Sequence, residues 1–188
     1  GPVGEAYGTD MAAGRKGGGS GSFTGDVFLP WEGGSSYYSK WSNGPSSDPD
    51  YFPIAVWLQS PHNADAYRAI GINTFVGLWE GPTEDQLGRL SGSGMPVLCD
   101  QNATGLAGSS GSVIRAWTHV DEPDNAQADG QGGYGPPIST ETVVAGYQSM
   151  VAEDPSRPVY LNLGQGVAWD GWYGRGVRTN HPEDYADY

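Results

Sequence analysis

From residue 51 onward the chain alternates short β-rich apolar runs with stretches that carry helix start and stop signals, a pattern that requires a parallel sheet with crossover helices. Strands are predicted over residues 53–59, 73–79, 96–100, 113–120 and 159–163. Helices are predicted over 63–70, ending at Gly71, over 83–90, with Thr83 as cap and Gln86 at the box position, and over 139–153, with Ser139 and Thr142 near its start. The connection 103–112 is rich in Gly and Ser and has room for only a short helical turn. A chain of 188 residues suits one core, so residues 51–188 are expected to form a single domain.

The first 50 residues have a different composition. Residues 1–26, around the run from Gly14 to Ser22, hold too few apolar side chains to offset the entropy of ordering, and are expected to be a flexible arm. Residues 27–50 place Phe28, Trp31, Tyr37, Tyr38 and Trp41 among glycines and prolines. That suits an irregular segment pinned by its rings against one end of the domain, rather than a helix or ladder.

Charge and motif content narrow the functions. The formal charge of −13 argues against nucleic acid or an anionic membrane surface as partner, since phosphate binding needs clustered Lys and Arg. Cys99 stands alone, which rules out an intrachain disulfide and a four-cysteine zinc site. No apolar run approaches a membrane span, and the opening residues lack the basic-then-apolar order of a leader. Gly130, Gly132 and Gly135 match GxGxxG spacing, but they follow no strand and run into Pro136-Pro137, so no nucleotide cofactor is expected. His119 and His181 lack a second ligand at metal-binding spacing, and no metal is expected.

Polar residues gather where strands end. Gln59, Trp79 with Glu80, Asp100 with Gln101, Asp121 with Glu122, and Asn162 with Gln165 all fall at carboxyl ends, the functional edge of both barrels and doubly wound sheets. Without a phosphate loop, a TIM-type barrel built from parallel β/α units is the expected architecture, with about five of its strands in this chain.

The run Thr118-His119-Val120-Asp121-Glu122-Pro123 resembles the Asn-Glu-Pro motif of the large clan of retaining (β/α)8-barrel glycoside hydrolases, and the segments 52–59, 71–80 and 95–100 look like strands one to three of such barrels. The resemblance implies that Glu122 is the acid/base residue. Asp121 stands where the clan usually has an asparagine, and the clan's nucleophile follows strand seven, beyond the strands seen here. The implied protein is therefore a partial barrel, completed by a second chain, a second copy or a further carboxyl-terminal segment, that cleaves a neutral polysaccharide or oligosaccharide outside the cell.

Glycoside cleavage needs a protonated carboxyl at the leaving oxygen and a second carboxylate across the bond. Period-two alternation puts Asp121 with Trp117 and His119, so a bulge is needed to aim Glu122 inward. Trp79, Glu80, Asp100, Trp117, Asp121, Asn162, Gln165, Trp169 and Trp172 are the expected substrate contacts, with the last two forming a platform for a pyranose face. The competing expectation is a carbohydrate-binding or self-assembling structural protein without catalysis, in which the acids cap turns and the rings cover the barrel end.

Overall fold

The computed structural model of the protein describes residues 34–165. The expected arm, residues 27–33, His181, and the platform of Trp169 and Trp172 lie outside these residues. Five strands form one all-parallel sheet in strictly sequential order: β1 (Ala55–Trp57), β2 (Thr74–Val76), β3 (Val97–Asp100), β4 (Ile114–Thr118) and β5 (Val159–Tyr160). Sequential order contains no reversal point, the feature on which a doubly wound sheet is built.

Helices α1 (Ala64–Ala69), α2 (Glu84–Gly92), α3 (Ala103–Ala107) and α4 (Thr140–Glu153) fill the connections. Three of the four begin where a polar side chain satisfies a free amide. Thr83 and Gln86 make both bonds of a capping box, Asn102 accepts from Gly105 N, and Ser139 accepts from Thr142 N. Residues 34–40 depart from the irregular segment expected of them. They wind as a 3₁₀ helix whose Tyr37, Tyr38 and Trp41 rings pack against one another, with Lys40 over two of them. Asn43 ties this segment to the approach to β5, its backbone N donating to Ser156 O and its amide to Ser156 Oγ.

One face of the sheet carries the core. Phe75, Val97, Cys99, Ile114 and Trp117 pack with Leu87 and Leu90 of α2 and with Ala64 of α1, while Met150 of α4 reaches the same cluster. Gly105 of α3 lies against the Trp117 ring, where a Cβ would come within 3.0 Å of it. From β1 to β3 the register alternates, so the residues between these point the other way. Trp57, Val76 and Leu98 share a row on the opposite face, where Trp57 and Tyr160 stay substantially exposed. The register slips between β3 and β4, where Val97 and Leu98 face Ile114 and Ala116 and leave Arg115 as the extra residue of a bulge.

At the end of the core, Asp154 is buried and serves as a staple. It accepts from Trp117 Nε1 (3.0 Å) and Arg157 Nη1 (2.6 Å), while Arg157 also donates to the carbonyls of Ile114 and Gly111. These bonds join the end of α4 to the base of β4. Among the described residues no helix is long and apolar enough to cross a membrane.

Candidate functional site

The carboxyl edge of the sheet is where the backbone departs from ordinary geometry. Leu58 (φ 50°), Glu80 (φ 51°) and Glu122 (φ 43°) are the non-glycine residues in left-handed conformation among those described, and they follow β1, β2 and β4. Each such residue costs about 1–2 kcal/mol, and strain of this kind gathers where a side chain must be aimed. Gly77 (φ 75°) adds a fourth reversal that also makes room, since a Cβ there would meet Leu58 Cδ2 at 2.8 Å.

A cavity of about 540 Å³ opens along this edge, with Trp57, Asp100, Thr118 and Asp121 among its walls and Gly146 and Ser149 contributed by α4. Asp100 Oδ1 accepts from Thr118 Oγ1 at 2.5 Å, across the β3–β4 pair Asp100↔Thr118. Asp121 Oδ1 accepts from Asn162 Nδ2 at 2.6 Å, which links the loops after β4 and β5. Two acceptors held open to a cavity beside an exposed indole suit a polyhydroxylated ligand.

Glu122 sits beside this cavity rather than in its wall. Its backbone N donates to Asn162 O (2.9 Å), its carbonyl accepts from Asn125 N (3.0 Å) and Gln127 Nε2 (3.1 Å), and Oε2 accepts from Asn125 Nδ2 (3.0 Å). Buried Asp124 accepts from Gly164 N at 2.6 Å. Gly164 adjoins both acids, because a Cβ on it would lie 3.3 Å from Asp124 Oδ1 and 3.5 Å from Glu122 Cδ. The two carboxyl groups therefore border one short stretch of backbone, and any side chain at residue 164 would crowd them.

His119 packs its ring against α4 at Gly146, and its Nδ1 accepts from Val120 N at 2.7 Å. Burial pushes its pKa below the ordinary value, with a bond to the Val143 backbone pulling the other way, so the ring favours the neutral form.

Asp100 and Asp121 line one cavity, and Asn162 bonds to Asp121, the residue that precedes Glu122. Trp117 is a correction. Expected to line the interior, it is fully buried on the helix-covered face, its ring against Gly105 and its Nε1 committed to Asp154. Trp79 is separated from the cavity and borders another, while Glu80 and Gln165 line neither. Trp57 and Thr118 were not anticipated as site residues. Thr118 looks like an ordinary strand residue, but Trp57 stands two before Gln59, a spacing that puts an indole on the same strand face as a polar strand end.

The glycine-spaced run forms a small antiparallel turn with Ala128 paired to Tyr134, in which Asp129 Oδ1 accepts from Gln131 N and Gly133 N. Two of its amides are thus spent on its own aspartate, and Gly135 N bonds Gln127 O. Among the described residues no cluster of His, Cys, Asp and Glu is placed to hold a metal. Asn102 caps α3 and donates to Pro82 O.

Fold and site together define an α/β protein whose five parallel strands run in chain order and present acids, amides and an exposed indole at their carboxyl edge. Comparison with protein-family models, with curated proteins and with solved structures finds no match to this chain.

Proposed function

We propose that the chain is part of a (β/α)8-barrel glycoside hydrolase that acts on a neutral polysaccharide or oligosaccharide, with Glu122 as general acid/base. The observation that carries this reading is the left-handed turn at Glu122, which takes the residue out of strand alternation and sets its carboxyl between the loops after β4 and β5. Sequential parallel strands support it, because that order suits a barrel, whose catalytic groups sit at the carboxyl ends. In the proposed reaction Glu122 protonates the leaving glycosidic oxygen, and Asp100, Asp121 and Asn162 bind hydroxyls. The nucleophile belongs to strands beyond β5, which a continuing chain, a second chain or a second copy would provide, closing the edges of β1 and β5. A site of this kind on a plant or microbial polysaccharide fits an extracellular protein.

A second reading is favoured by one observation: Asp121 rather than Glu122 lines the cavity. On that reading the edge binds carbohydrate without cleaving it. The test is release of reducing ends from neutral polysaccharides by the full-length protein, alongside retention on the same polymers. Glu122→Gln is expected to lower turnover by at least about 10²-fold, with retention unchanged. Equal turnover in the variant removes Glu122 from catalysis, and retention without product selects the binding reading.

A further inference from the structure

A second cavity, of about 450 Å³, lies at the ends of β1 and β2, within the range of about 300–1,000 Å³ usual for small-ligand sites. Its walls include Gln59, His62, Trp79, Asp85 and Arg89, and Leu58 borders both this cavity and the one lined by Asp100 and Asp121. The two spaces thus flank a single side chain, the one held by its left-handed backbone against Gly77.

The walls are prepared for a ligand that has both a flat apolar face and hydroxyls. Trp79 is 72% exposed, yet its backbone is fixed because Gln86 Nε2 donates to its carbonyl at 2.9 Å. Gln59 is oriented at both ends of its amide, accepting from Tyr67 OH (2.8 Å) and donating to Trp57 O (3.2 Å). Arg89, in the cavity's wall, is held by a 2.8 Å bond from Nε to Asp85, which does not use its terminal nitrogens. An indole face beside guanidinium, carboxylate and amide groups recognises a pyranose ring: the ring's C–H face stacks while its hydroxyls bond at the rim.

We infer that Trp79, Gln59, His62, Asp85 and Arg89 form a distal subsite that holds another pyranose ring of the same neutral saccharide chain, across Leu58 from the ring at Asp100 and Asp121. This inference rests on the carbohydrate reading above, and deepens it by requiring an extended ligand, longer than a disaccharide. It also gives Trp79 a role apart from Glu122.

The test is calorimetric titration of the full-length protein with cello-, xylo-, manno-, laminari- and maltohexaose and with the matching disaccharides. At least one hexasaccharide should bind more tightly than its disaccharide. Trp79→Ala should weaken that hexasaccharide about tenfold, the loss of one stacked ring, and leave the disaccharide unchanged. Arg89→Leu, a second exposed position, should show the same length-dependent loss. If the wild-type protein binds hexasaccharides and both variants match it, the distal subsite is wrong while the carbohydrate reading stands. If no saccharide of the panel binds the wild type, both fall.

Discussion

At residue scale the chemistry of this protein is set by what each side chain is already bonded to. Asp100, Asp121 and Glu122 each accept a hydrogen bond from a neighbour, so each is aimed, and the acid/base assignment rests on orientation rather than on composition. Glu122→Gln keeps the shape and an acceptor for Asn125 but removes the transferable proton, which is why it separates catalysis from binding. Cys99 is the opposite case. Burial, reinforced by the nearby Asp100 charge and partly offset by Arg157, pushes its thiol up to about 12, and the residue lies in the core. Cys99 is expected to resist a disulfide reagent in the native protein at pH 8 and to react fully after denaturation. Rapid native labelling, followed by absorbance of the released thiolate, would contradict the packing.

At the scale of elements, capped helix starts add to the packing of the buried faces. Helix α2 has both bonds of its capping box, at 3.3 Å to Gln86 N and 2.9 Å from Thr83 N, and Glu84 and Asp85 in its first turn favour the positive end of the helix. Thr83→Ala is expected to cost about 1 kcal/mol of unfolding free energy in urea. The same helix brings Gln86 to the Trp79 carbonyl, so the cap also fixes the distal cavity. Trp79 should therefore become more mobile in Thr83→Ala, and an unchanged midpoint would show that packing of Leu87 and Leu90 alone sustains α2. Helix α4 depends on its end instead, where Asp154, Ser156 and Arg157 join it to β4 and β5.

For the whole molecule, that staple sets the response to acid. Burial alone would raise the Asp154 carboxyl, but bonds from Ser156, Arg157 and Trp117 outweigh it and hold the pKa at about 2, against 3.8 when unfolded. A depressed acid stabilises the fold above 3.8, and the contribution, about 2 kcal/mol by linkage, is lost as pH falls from 3.8 toward 2. His119 acts in the same direction at higher pH. Its folded pKa lies below 6.5, so stability is complete above 6.5 and declines as pH falls through that value. Urea midpoints should drop in two stages, below 6.5 and again below 3.8. Asp154→Ala should lose about 3 kcal/mol at pH 7, because Arg157 and the Trp117 N–H stay buried without their partner, and should shrink the second stage, leaving the smaller share of Asp85, Asp129 and Glu141, whose carboxyls are also lowered. A second stage undiminished in the variant would place the acid response elsewhere.

Much of this architecture is legible in the residues alone. The five strands and three of the four connecting helices follow from apolar period and capping residues, which act locally: Thr83 with Gln86 and Ser139 with Thr142 form the bonds their spacing predicts. The first two strands proved shorter than their apolar runs because pairing stops where the chain turns at Leu58 and Gly77. Strand order and the convergence of Asp100, Asp121 and Asn162 depend on which strands become neighbours, a long-range choice only the tertiary structure decides. The face of Trp117 is the clearest example. Ile114, Ala116, Trp117 and Thr118 are all buried, so both faces of β4 read alike, and alternation shows which residues share a side without showing which side meets the helices. Glu122 is set apart by a backbone reversal that its own side chain does not favour. Asn125 holds that turn locally, whereas the bond from Glu122 N to Asn162 O exists only once β5 lies beside β4.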